Sequence, residues 1–304
     1  MIIYLSDGGV IMYLMCKDKI VYDIENDIVC CKELLPGCML NNANRDSFDY
    51  WWRHRYSSSS NRQAQRIKDI KYGKVMTEID KITHGLSLVD CYWVTDNIIK
   101  FDDITPYHNI HTCAEPSLYV NGIQDKEWND MGLLAKRTNN TEIEKAALDL
   151  CSALGVSEIR CYVENGVLYL ENFTSENLML EQANQYGSFN MYDFNNEDIL
   201  RYLGVDYGLQ MLFIDAVVGN GDRHAGNFGW LRDANTGKYV RPAPLYDFDH
   251  ALDDRGMFLI SDFITTLNKH SEYVDKFITL CDNPDIPEIF KGRTLRMRRL
   301  LNEI

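Results

Sequence analysis

The segment from residue 205 to residue 250 constrains the fold more than any other part of this 304-residue chain. Val205, Leu209, Leu212, Phe213, Ala216 and Val217 recur at helical spacing and predict a buried helix. Gly219-Asn220-Gly221 stops it, and Asp222-Arg223-His224-Ala225-Gly226-Asn227 follows. Phe228–Leu231 and Tyr239–Arg241 read as strands joined by a turn at 233–237. Pro242-Ala243-Pro244 then leads into Leu245-Tyr246-Asp247-Phe248-Asp249-His250. A hairpin between two acid-bearing loops returns the chain on itself, so the second loop lies beside the first.

The rest of the chain reads around this segment. Residues 1–40 predict short strands with turns, the first two around Ser6-Asp7-Gly8-Gly9. Residues 41–83 hold Trp51-Trp52, the serine run Ser57–Ser60 and a polar helical stretch; 84–115 are irregular. Ser117–Val120 predicts a strand, Asn121-Gly122 a turn and Leu133–Arg137 a second strand. Ile143, Ala146, Ala147, Leu150, Cys151 and Leu154 mark a helix over 142–154, ended by Gly155. Strands at 159–163 and 167–173 flank the turn Glu164-Asn165-Gly166, and the pattern after 175 is mostly helical. This is an α+β order, not the alternation of a parallel α/β sheet.

Charge narrows the partners. Lys plus Arg number 31 against 45 Asp plus Glu, a net charge of −14. That field repels nucleic acid and anionic lipid, so nucleic acid is expected only indirectly, if at all. Residues 51–74 are the exception, with seven basic side chains against Asp69 alone; they read first as a solvated helix face and second as a contact for an acidic partner or nucleic acid. The nine cysteines contain no C-x-x-C pair, which favours reduced thiols in a cytoplasmic protein over a zinc or disulfide framework. No run of 18 apolar residues is present, so no membrane span is expected.

Phosphoryl transfer from ATP needs one carboxylate to accept the proton of the attacking hydroxyl and two oxygen ligands for Mg²⁺. Asp222 fits the first role, and Asn227, five residues on, with Asp247 fits the second. Lys136 is the natural cation for the phosphates, because Arg137 points to the opposite face of its strand. Glu144 has two readings: the partner of Lys136, or the third helical residue of a capping box opened by Thr141. Asp215 faces away from the apolar stripe and is placed to brace the loop, and His224 reads as a structural hydrogen-bonding residue.

These residues resemble the HipA-like serine/threonine kinase family. The loop Asn121-Gly122-Ile123-Gln124-Asp125-Lys126 is similar to its phosphate loop, and Lys136 and Glu144 match its lysine and helix glutamate. Gly221–Phe228 and Ala243–Asp247 match its catalytic and metal motifs. The order D-R-H-x-x-N also resembles phosphoinositide kinases. The resemblance spans about 117–260 and extends weakly into 1–115 through Ser87–Trp93. It implies a bilobal protein-kinase-like fold: an appended N-terminal α+β subdomain (1–115), a small antiparallel-sheet lobe (116–175) and a helical lobe (176–304), with nucleotide in the cleft. By the same resemblance Asp222 is the catalytic base, Asn227 and Asp247 bind Mg²⁺, and Gly122, Gln124, Lys126, Lys136 and Glu144 serve the ATP phosphates. Glu171 and Phe173 lie at the adenine-binding stretch. The acceptor is a protein hydroxyl, and some relatives are toxins paired with an antitoxin protein. Two positions depart from the pattern: Tyr119 stands where the family carries a regulatory serine, with Ser117 nearby, and Asp249 replaces the glycine of D-F-G. Three other functions compete: a metal-dependent phosphohydrolase using Asp222, His224, Asp247, Asp249 and His250, a pseudokinase that binds nucleotide without turnover, and a lipid kinase.

Overall fold

The computed structural model describes residues 12–55, 62–69, 76–97, 99–108, 115–119, 125–138, 140–186 and 192–304. The turn at Ser6–Gly9, the serine run and Asn121–Gln124, with Gly122 and Gln124, lie outside them. The chain divides into two compact units, each built from separated segments.

The first unit comprises 1–137, 171–188 and 230–241. Strands β1 (Tyr13–Cys16), β2 (Lys19–Asp23) and β3 (Ile28–Val29) form a meander, and β4 (Tyr92–Thr95) pairs with the other side of β1. Cys16 opposes Lys19 across a two-residue turn, so all pairings are antiparallel. Helix α1 (Arg45–Arg53) starts at a reciprocal cap between Asn44 and Ser47 and buries Phe48, Trp51 and Trp52. Trp51 meets Tyr92 edge-on, so the aromatic pair seen in the sequence is core. Short helices α2 (Arg62–Ile67), α3 (Met76–Thr83) and α4 (Phe101–Ile104) follow. Strands β5 (Asp125–Trp128) and β6 (Leu134–Arg137) form an antiparallel ladder.

Three expectations for this unit change. The strand expected over Ser117–Val120 is absent from its described part, Ser117–Tyr119: Pro116–Tyr119 form a 3-10 turn, because a proline pre-sets φ for a helical first residue. Leu178–Gln182, in the stretch read as helical, is instead strand β9, in a sheet with β10 (Gly229–Asp233) and β11 (Tyr239–Pro242), order β11-β10-β9. Its centre is buried at consecutive positions, so it lacks the alternation that marks a half-buried strand. The basic run is not wholly a solvated face either. Arg55 is buried and donates to both carboxylate oxygens of Asp90, at 2.6 and 3.0 Å, and to the Gly85 and Tyr92 carbonyls.

The second unit comprises 138–170, 189–229 and 242–304. Helix α5 (Thr141–Ala153) precedes the hairpin of β7 (Cys161–Glu164) and β8 (Val167–Leu170), whose turn residues Asn165 and Gly166 both have positive φ, as a tight hairpin requires. Helices α6 (Asn196–Leu203), α7 (Val205–Val218), α8 (Leu259–Leu267), α9 (Val274–Cys281) and α10 (Lys291–Leu301) form the body. Phe213 on α7, Phe263 on α8 and Phe277 on α9 meet with ring centroids 5.0–5.6 Å apart. Helix α7 ends at Gly219 in the left-handed conformation, φ 70°. A Cβ on Gly256 would collide with the Gly219 carbonyl, so two glycines pass closely where the candidate catalytic loop begins. Arg293 on α10 fastens this crossing by donating to the Ala216 and Gly256 carbonyls.

The eight described cysteines are free thiols. Burial pushes those of Cys16, Cys38, Cys151 and Cys281 up to about 12, which keeps them protonated. Among the described residues no helix is long and apolar enough to cross a membrane.

Candidate active site

The loop after Gly219 is held by a buried ion pair. Asp215, on the last turn of α7, accepts from Arg223 Nε and Nη2 at 2.9 and 2.8 Å and from Asn220 Nδ2 at 3.0 Å. The bracing expected of Asp215 therefore has a definite form: a bidentate pair, both partners under 10% exposed. Burial works against the Arg223 charge, but Asp215 more than offsets it and the guanidinium pKa lies above its ordinary value.

Arg223 also joins the two halves of the site. Its Nη1 donates to the Asn227 carbonyl and to the Tyr246 carbonyl, each at 2.8 Å, and its guanidinium lies over the Phe248 ring. One side chain thus ties the residue read as the first metal ligand to the neighbour of the second, Asp247. The Tyr246 hydroxyl donates back to the Gly226 carbonyl at 3.0 Å. Asp247 has φ 63°, a conformation that costs a non-glycine residue about 1 kcal/mol or more and persists where surrounding bonds enforce it.

Asn227 is buried and donates its side-chain amide to the Asp222 carbonyl at 3.4 Å, so its Oδ1 is the atom that could act as a ligand. The donor set therefore fits Mg²⁺: one amide oxygen and one carboxylate, with phosphate and water for the remaining positions. Among the described residues no group of three or more His, Cys, Asp or Glu side chains is arranged to hold a metal. Asp222 is partly exposed, with Oδ2 3.7 Å from His250 Nε2; His250 Nδ1 lies 3.1 Å from Asp253. His224 accepts from the Gly226 N–H at 3.1 Å, the loop-holding role its position suggests.

Glu144 is buried on α5, and its Oε1 accepts from the Phe248 N–H at 3.4 Å. It does not close a capping box: Asn140 occupies the cap position, and the Thr141 hydroxyl donates to the Thr138 and Gly166 carbonyls. Asn140 Nδ2 reaches the Asp249 carbonyl at 3.0 Å, so α5 holds the chain on the far side of Asp247 as Arg223 holds the near side.

In the first unit, Lys136 on β6 is the cross-strand partner of Lys126 on β5, and both are buried. Direct partners lie about 5 Å apart on one face, where like charges repel unless anions accompany them. Glu171 and Phe173 follow β8 in an irregular stretch, with Glu171 exposed. Asn172 and Thr174 anchor this stretch by donating to the Leu88 carbonyl at 2.8 and 2.6 Å. Ser117 and Tyr119 are both buried; Ser117 Oγ accepts from the Trp128 N–H, and the Tyr119 hydroxyl donates to Asp80.

The sequence reading missed the joining role of Arg223 and the reach of Asn140. The first is signalled by the D-R-H order itself; the second has no local signal, because its partner is 109 residues away.

No family model matches the chain, and no curated protein matches it. Among solved structures, HipA of Shewanella oneidensis MR-1, in a toxin–antitoxin complex with HipB and operator DNA, is similar over 95% of both chains, with 12% identity and a TM-score of 0.57. The Helicobacter pylori proinflammatory kinase CtkA is similar over 59% of this chain and 89% of its own, with 17% identity and a TM-score of 0.36. The chain has a mixed α+β, HipA-like kinase fold.

Proposed function

We propose that the protein is a phosphotransferase that uses ATP and Mg²⁺ to phosphorylate a serine or threonine hydroxyl of another protein. The observation that carries this reading is Arg223, which binds the Asn227 and Tyr246 carbonyls at once and so orders both metal-ligand positions around the Asp222 loop. A structural ion pair alone has no need to join those two segments.

In this reading Asp222 accepts the proton of the attacking hydroxyl. Asn227 Oδ1 and the Asp247 carboxylate would hold Mg²⁺, whose charge neutralises the phosphate oxygens. Lys136 and Lys126 bind phosphate oxygens as point charges, and Glu144 keeps the Phe248 backbone in place. The roles of Gly122 and Gln124 in a phosphate-covering loop, and of Glu171 and Phe173 beside adenine, rest on the family resemblance. So does a regulatory partner of the antitoxin kind; the Shewanella structure holds HipA with HipB of a toxin–antitoxin system. A cytoplasmic setting rests on the cysteine pattern of the sequence, which lacks a C-x-x-C pair. Lipid headgroups are less well served: Arg55, one of the seven basic residues in the 51–74 run, is turned inward onto Asp90.

The test is incubation of the protein with labelled ATP, Mg²⁺ and a cell extract, beside Asp222→Ala. Loss of a general base lowers such rates by about 10²–10⁴-fold. Equal labelling by the two proteins would refute the reading.

A further inference from the structure

A cavity of about 150 Å³ lies inside the second unit, against the catalytic loop. Asn220 and Gly221 form one wall, Phe194 and Asn196 a second, and Leu259 and Asp262 the first turn of α8. Gly221 directly precedes Asp222, so the cavity lies against the loop that carries the candidate base.

Asn220 and Asp262 are two acceptor-bearing side chains among the cavity's lining residues. Asn220 is 1% exposed, and its Oδ1 has no hydrogen-bond partner among the described residues. Its amide nitrogen already donates to Asp215, which fixes the oxygen's direction. Asp262 is exposed and forms no ion pair among the described residues. The remaining charges cancel: Arg223 and Asp215 engage each other, and the rest of the guanidinium is turned onto backbone carbonyls. The cavity therefore presents hydrogen-bond acceptors, one uncompensated negative charge and apolar walls at Phe194 and Leu259. A long aliphatic stem with a cationic, donor-bearing head satisfies all three. Met257 and Phe258, just before α8, are 56% and 68% exposed, and Tyr192 is 71% exposed against His224. These exposed apolar side chains lie in the chain just before the lining residues Leu259 and Phe194, and they offer footing for a polypeptide.

We propose that the cavity is an acceptor-side subsite that takes an arginine or lysine of the protein substrate, a residue close in sequence to the phosphorylated hydroxyl. The proposal rests on the phosphotransfer reading above and adds its substrate class.

The test uses synthetic peptides with one serine and a single arginine, lysine, glutamine or glutamate scanned through the positions on either side. Each peptide is measured for binding by fluorescence anisotropy without ATP, and for phosphorylation with ATP and Mg²⁺. The wild-type protein is expected to favour a basic residue over glutamate at one position by about tenfold, an ordinary size for one charge pair. Asp262→Arg, at an exposed site, is expected to reverse that ratio. The ratio is read within each variant, so a change in overall activity does not enter it. No basic preference in the wild type, or the same ratio in Asp262→Arg, overturns the subsite. Reversal of binding with no phosphorylation keeps the subsite and refutes phosphotransfer; phosphorylation indifferent to basic residues does the opposite.

Discussion

Arg223 and Arg232 are two buried arginines that each pair with a carboxylate, at 2.8 and 2.9 Å, and donate to backbone carbonyls. Their acceptors differ. Arg223 binds the carbonyls of Asn227 and Tyr246, residues at or beside the candidate metal ligands. Arg232 binds the carbonyls of Leu35, Glu33 and Gly237, which close a corner of the first unit, while its partner Glu181 also accepts from the Tyr239 hydroxyl. The same chemistry orders the candidate site in one unit and a chain crossing in the other. A buried arginine is therefore informative only through the residues whose backbone it holds.

The largest expected effect is at Arg223. Arg223→Met leaves Asp215 buried without its counter-ion, a loss of about 3–5 kcal/mol, and it releases both ligand positions, so transfer falls by at least about 10²-fold. Arg223→Lys sharpens the point: it restores charge without the planar fork, so melting temperature recovers in part while kcat does not. Arg232→Met is expected to destabilise by a similar amount, measured by urea unfolding, yet the folded fraction keeps wild-type kcat. A loss of kcat there would erase the distinction between the two arginines. Tyr239→Phe removes one hydrogen bond to Glu181 at the protein surface and is expected to cost about 1 kcal/mol with no change in activity.

The smallest effect is one of pH. Hydrogen bonds from the Thr236 hydroxyl, and then from the Thr236 and Asn235 N–H groups, hold the Asp233 carboxyl pKa below its ordinary 3.8. Because the folded value is the lower one, this contribution is present above pH 3.8 and lost as pH falls below it. Asp233→Asn is expected to be less stable than wild type at neutral pH, and the difference should shrink in acid. A difference independent of pH would assign the effect to packing.

Much of the second unit is legible in the sequence because its signals are local. The stripe of α7, the stop at Gly219 and the Asn165-Gly166 turn each occupy a few adjacent residues and appear where expected. The readings that fail, in either unit, depend on distant partners. Strand β9 is buried on both faces, so its sequence carries no alternation. Thr141 has the right spacing for a capping box, but the nearby Gly166 and Thr138 carbonyls take its hydroxyl. Arg55 sits in a basic, polar run, and only its distance partner Asp90 turns it inward. For the site, residue types and spacing point to Asp222, Asn227 and Asp247, while Arg223 is marked in the sequence only by the D-R-H order, and its joining role emerges from tertiary hydrogen bonds.

The most direct test of the whole account is mass spectrometry of the phosphosites gained in cells that express the wild-type protein, compared with cells that express Asp222→Ala at equal abundance. The account predicts serine or threonine sites present with the wild type and absent with the variant. Identical phosphosite sets would contradict it.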